Sequence, residues 1–219
     1  MKKHLLTVVA ILVTSLAASA QIQKGNQALG LSFSGYSQNI NIDFANGEEH
    51  RRSANISLDY SYFVSDKTAI GVFVGYSNAT HNYKNDTQAE MTDDSRVYNF
   101  GVFGKKYFMF SDKFGGIGNV SLYGDIANGE FQNNPDSPVR ETNSKGFGTG
   151  LNGGAVFFPW KRLGIEGSLN LISLGYSKST GIDSDGNETK YSTFNVYSGF
   201  SQPFQNIQLT LRYHFGFKK

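Results

Sequence analysis

Strict alternation of apolar and polar residues is the feature that most limits what this chain can fold into. Over 54–62, Ala54, Ile56, Leu58, Tyr60 and Tyr62 alternate with Asn55, Ser57, Asp59 and Ser61. Over 208–217, Leu209, Leu211, Tyr213, Phe215 and Phe217 alternate with Gln208, Thr210, Arg212, His214 and Gly216. Successive side chains of a strand point to opposite faces, so each segment has one apolar face and one polar face. A helix needs apolar residues spaced by three and four, which these windows lack. Weaker versions recur over 27–38, 68–78, 98–103, 120–126, 147–157 and 163–171. The chain reads as eight strands.

The connections add a direction. Four stretches are long and polar: 39–51, 79–94, 129–145 and 178 onwards. Three are tight: Val64-Ser65-Asp66-Lys67, the stretch 110–115, and Pro159-Trp160-Lys161-Arg162. Long and short alternate along the chain, which in an up-and-down sheet gathers all long connections at one end. Transmembrane barrels have this asymmetry, with short periplasmic turns and longer extracellular loops. Residues 192–200 also alternate in part, and fit an extension of the last hairpin, a bulged start of strand eight, or a ninth strand.

Residues 1–20 carry an address. Lys2 and Lys3 precede an apolar run from Leu5 to Leu16, and Ala18-Ser19-Ala20 supplies a small-x-small cleavage pattern. This is the layout of a secretory signal peptide cut between Ala20 and Gln21, leaving 21–219 as one domain. Without Lys2 and Lys3, the 20 basic residues fall to 18, equal to the 18 acidic ones. That balance offers no basic surface for nucleic acid. The absence of cysteine excludes a disulfide scaffold.

Period two alone fits a soluble β-sandwich as well as a barrel. Three features favour the barrel. Small and polar residues fill one face of nearly every strand, as a narrow bore requires and a sandwich core does not. Tyr and Phe gather near strand ends, where amphipathic rings sit at membrane interfaces. The apolar stretches run to roughly nine to eleven residues, enough for a tilted strand to cross hydrocarbon. Mean hydropathy is −0.35, which excludes spanning helices but not strands. The expected fold is all-β: an eight-stranded antiparallel up-and-down transmembrane barrel.

The leader, the Gln21-Ile-Gln-Lys-Gly-Asn26 start and the aromatic last strand, Leu209-Thr-Leu-Arg-Tyr-His-Phe-Gly-Phe217, support a family resemblance. Together they resemble the small outer-membrane β-barrel or porin-like family, with the layout of the OmpA-like, OmpX-like and OmpW-like eight-stranded barrels. The resemblance implies a place in the bacterial outer membrane, with membrane lipid and the barrel assembly machinery as partners. It also implies that an aromatic near the end of the last strand, Phe215 or Phe217, is read by that machinery.

The polar faces carry five charges: Asp59, Lys105, Asp125, Glu166 and Arg212. Inside a narrow bore they are partly desolvated and should pair, since a lone buried charge is costly. Read structurally they form a plug of salt bridges, and read functionally a gated ion path or proton relay. His50, His81 and His214 are scattered, with no nucleophile and base grouped for catalysis and no converging metal ligands. The stretch Asp183-Ser-Asp-Gly-Asn-Glu188 lacks the spacing of a calcium loop and fits a hairpin turn. No enzymatic activity, cofactor or metal is expected. Three functions stay open: a structural or surface-interaction barrel acting on an extracellular ligand or host surface through its loops, a narrow channel for small or apolar solutes, and a soluble exported β-sandwich or lipocalin-like binder.

Overall fold

The computed structural model describes residues 22–42, 47–85, 90–132, 137–182, 187–198 and 207–216. The leader with its cleavage point, the tips of the long connections and Phe217 lie outside them. Nine strand segments follow in order: β1 (Gln27–Ile42), β2 (Gly47–Ser65), β3 (Thr68–Asn85), β4 (Glu90–Met109), β5 (Phe114–Gln132), β6 (Arg140–Trp160), β7 (Leu163–Ile182), β8 (Glu188–Ser198) and β9 (Ile207–Phe215). All pairings are antiparallel, and each of β1 to β6 pairs with the next strand in sequence.

Closure comes through β9, which pairs with β1 over 27–33 and with β7 over 163–169. β8 pairs with β7 higher up, over 172–182. β8 and β9 therefore occupy successive lengths of one stave, so nine segments make an eight-stave barrel. This resolves residues 192–198 as an extension of the last hairpin. Among the described residues, β1 beyond Phe33 pairs only with β2, and β8 only with β7.

The tight turns have local causes. Between β2 and β3, Lys67 takes a left-handed φ of 64°, a conformation that closes a short hairpin around Asp66-Lys67. Between β4 and β5, Ser111 Oγ accepts from the amides of Lys113 and Phe114 at 3.3 and 3.1 Å, a serine turn. Residues 22–26 fold across this end. Gly25 N donates to the Phe63 carbonyl at 2.8 Å, and Lys67 N donates to the Ile22 carbonyl at 2.8 Å.

Polarity is inverted relative to a soluble protein. Leu58 is 46% exposed on the outer wall while its neighbour Asp59 is buried within. Ile70, Val72 and Val74 on β3, Tyr98, Phe100 and Val102 on β4, and Leu209 and Leu211 on β9 are likewise exposed. A continuous exposed apolar band of this kind belongs against lipid, where a closed barrel leaves no backbone group unpaired.

The strands outrun that band. β2 to β7 have 18 to 21 residues, against the roughly nine to eleven that a tilted strand needs to span. The polar stretches expected as loops are therefore mostly strand. Beyond the band neither face meets lipid, so polar residues suffice on both and the hydrophobic alternation vanishes while the ladder of hydrogen bonds continues.

Candidate functional site

The bore near the tight turns is filled in two layers. The lower one is apolar: Ile22, Ala28, Phe63, Tyr107, Val156 and Phe158 pack as a buried cluster. The Phe63 and Tyr107 rings stack at 5.7 Å, and His214 lies against Phe63 and Phe158 at 5.7 and 5.4 Å. Each ring points inward because its strand presents alternate residues to the bore.

Above it lies a charged layer. Arg212, 1% exposed, donates from Nη1 and Nη2 to the two oxygens of Asp59 at 2.6 and 3.0 Å. Its Nε donates to Glu166 Oε1 at 2.8 Å. Tyr107 donates to the same Glu166 oxygen at 2.8 Å, and Lys105 Nζ donates to Oε2 at 2.6 Å. Two carboxylates face two cations, so the layer is neutral, and both Glu166 oxygens are occupied. The fork of a guanidinium suits this double engagement, which a point-charge ammonium could not reproduce.

Gly30 makes room for it, and Gly164 makes room for the ring layer beneath. Arg212 is the register partner of Gly30 on β1 and of Gly164 on β7, and Gly30 is in turn opposite Asp59. A Cβ on Gly30 would stand 2.9 Å from Arg212 Nη2 and 2.9 Å from Asp59 Cγ. One on Gly164 would stand 3.1 Å from the Phe158 ring. The bare backbone lets Asp59 and Arg212 meet across an intervening strand.

Over the charged floor the bore opens into a cavity of about 170 Å³, lined by Asn55, Asn99, Asn119, Asn152, Ser57 and Gln208 among others. Of the five charges singled out from the sequence, Asp59, Lys105, Glu166 and Arg212 meet in the floor. Asp125 stands apart, higher in the bore between Asn99 and Gly146. Tyr107, Ser61 and the two glycines escaped sequence reasoning. Ser61 Oγ accepts from Arg212 Nη1 at 3.4 Å. The alternation that places Asp59 inward also places Ser61 there, so that signal was available.

A second polar group lies at the opposite end, on the inner face of β2 and β3 beyond the apolar band. Arg51 Nε donates to Glu49 Oε1, and His81 Nε2 lies 2.7 Å from the same oxygen. Burial works against the Glu49 charge, but the hydrogen bonds and charges of Arg51 and His81 outweigh it and hold the carboxyl below its ordinary range. His50 is elsewhere: its Nδ1 is 2.8 Å from Asn39 Oδ1. Among the described residues no three metal-ligating side chains converge.

No family model matches the chain, and no curated protein matches its sequence. Its fold does have solved counterparts. A major outer membrane protein from Thermus thermophilus superposes with a TM-score of 0.52 at 11% identity, covering 87% of this chain and 99% of that one. The outer membrane protein OprG from Pseudomonas aeruginosa gives 0.50 at 12% identity, covering 89% and 98%. With its closed ring of staves, inverted polarity and tight-turn asymmetry, the chain has the fold of the small bacterial outer-membrane β-barrels.

Proposed function

We propose that this protein is a non-enzymatic outer-membrane barrel with a sealed bore, whose work is done by the strand extensions and connections at its extracellular end. One observation carries the reading: a buried apolar cluster drawn from residue 22 and from β1 to β6 lies beneath a neutral layer in which each of the four charges is ion-paired. An ion crossing it would have to strip Glu166 or Asp59 of partners that leave no oxygen of Glu166 free. The seal accordingly acts as a structural plug rather than a path. Residues 1–20 serve as the exported leader, cut before Gln21. The last strand, through Phe215 or Phe217, is what the assembly machinery reads. The extracellular end offers a recognition surface on a rigid scaffold.

Planar-bilayer recording of the purified protein tests the seal. No stable single-channel steps are expected. Reproducible steps from the unmodified protein would replace this reading with that of a narrow channel.

A further inference from the structure

The outer wall holds a feature that neither the seal nor the apolar band uses. On β6 and β7, Lys145 stands directly opposite Lys178, and one outward row nearer the tight turns Phe147 stands opposite Tyr176. The two rings contact each other, with centroids 5.6 Å apart. Like charges facing each other across a strand pair destabilise it, yet among the described residues neither lysine has an ion pair. Lys190 on β8, by contrast, is bound to Glu188 at 2.8 Å. Between the lysines and the rings lies a groove of about 540 Å³, completed by Asn143 and Thr180.

A bulge builds this arrangement. Leu151 pairs with Ile172 but Asn152 pairs with Asn170, leaving Leu171 as the extra residue of β7. Below it Ile165 faces outward, and above it Ile172, Leu174, Tyr176 and Lys178 do. Without the extra residue Lys178 would point into the bore.

Height on the wall indicates the occupant. The ring pairs Tyr76–Tyr98 and Phe147–Tyr176 mark the outer edge of the band, as aromatic girdles do. The next outward residues, Asn78, Arg96, Lys145 and Lys178, sit at headgroup level. Beneath the lysines, Phe147 is 65% exposed, and Leu151, Ile172 and Leu174 continue the apolar wall. A molecule fitting here needs an anionic head at the lysines, hydroxyls or amides for Asn143 and Thr180, and an apolar tail lying down the wall. A phosphate carries enough charge to satisfy two ammonium groups, and lysine binds it as a point charge.

We infer that Lys145 and Lys178, over Phe147 and Tyr176, form a docking site for the phosphorylated headgroup of an outer-leaflet glycolipid. The inference rests on the outer-membrane placement proposed above and is independent of whether the bore is sealed.

The test uses the full chain in phosphatidylcholine nanodiscs doped with lipid A, with native mass spectrometry reading the lipid A retained. The unmodified protein should retain it. A Lys145→Gln, Lys178→Gln double variant should bind about thirtyfold more weakly, because each lysine at a charged headgroup surface contributes about 1 kcal/mol. Lys145→Arg with Lys178→Arg should bind as the unmodified protein does, and so should Lys161→Gln at the far, tight-turn end. Both lysines are exposed, so these variants should fold, and Lys178→Gln alone serves where the double variant does not. Equal retention by the glutamine variants overturns the site. So does equal retention of dephosphorylated lipid A, or displacement of lipid A by inorganic phosphate alone, since either would remove the phosphate or the apolar wall from the recognition. A protein that conducts ions yet retains lipid A would refute the seal and leave the site standing.

Discussion

Replacing Arg212 by alanine tests the charged floor at its most connected residue. The guanidinium makes four hydrogen bonds: two to Asp59, one to Glu166 and one to Ser61. Its loss falls unevenly. Glu166 keeps Lys105 at 2.6 Å and Tyr107 at 2.8 Å, whereas Asp59 loses both of its ion-pair contacts and has no other cation bound to it among the described residues. The damage is therefore one buried carboxylate left without a partner. Removing one member of a buried pair costs about 3–5 kcal/mol. Urea unfolding of the protein in lipid vesicles, followed by heat-modifiable gel mobility, should show a loss in that range. Adding Asp59→Asn to Arg212→Ala removes the stranded charge and should recover much of the loss, with a coupling of about 1–3 kcal/mol. A single variant within about 0.5 kcal/mol of the unmodified protein, the range of ordinary surface changes, would refute the reasoning. So would a double variant whose loss is the plain sum of the two.

Three further substitutions or conditions read other parts of the structure. Leu58→Lys places a charge on the outer wall within the apolar band and should cost roughly 2–4 kcal/mol, whereas Ser57→Lys faces the polar cavity and should cost less; equal costs in vesicle unfolding would contradict the assigned faces. Gly30→Val drives a side chain between Asp59 and Arg212, where a Cβ alone would stand 2.9 Å from Nη2, and should destabilise by about 1–3 kcal/mol, as overpacking does; thermal unfolding in micelles with no shift would contradict the close approach. At the extracellular end, the Glu49 carboxyl is held below its ordinary range in the fold, so it binds a proton more readily unfolded than folded. Its stabilising contribution is thus present above the ordinary carboxylate pKa and is lost as pH falls through the lowered folded value. Amide exchange in the upper β2–β3 hairpin should accelerate over that acid range, and the Glu49→Gln variant should lack the transition.

How much of this was legible depends on what each residue has to face. Leu58 and Val74 announce the outer wall because lipid admits little else there, and Asp59 announces the bore by opposing them. Above the band that contrast disappears: Arg51, His81 and Glu49 lie on paired strands, yet polar residues on both faces left them reading as loop. The contact of His81 with Glu49 was not recoverable by counting either: outward from the turn at Asp66-Lys67 the count brings residue 51 opposite 82, and a bulge between Phe63 and Ser65 shifts the register by one to bring it opposite 81. No such count reaches the floor. Asp59 and Arg212 are 153 positions apart and meet only through the register of the closing strands β1 and β9, which no turn of known length sets. What the sequence does carry is a consequence of that register: glycine on either side of Arg212, at 30, where a larger side chain would fill the space of the ion pairs, and at 164, where it would meet the Phe158 ring. The Leu171 bulge is the harder case. It changes which of two alternating sets faces lipid, and the apolar residues change phase with it, from Ile165, Leu169 and Leu171 to Ile172, Leu174 and Tyr176, while Ser173, Gly175 and Ser177 suit the bore. What the pattern does not give is the register, and pairing with β6 across the bulge brings Lys178 opposite Lys145. Two lysines that read as unrelated charges in separate polar stretches thus become one cationic site, created by a single extra residue seven positions away.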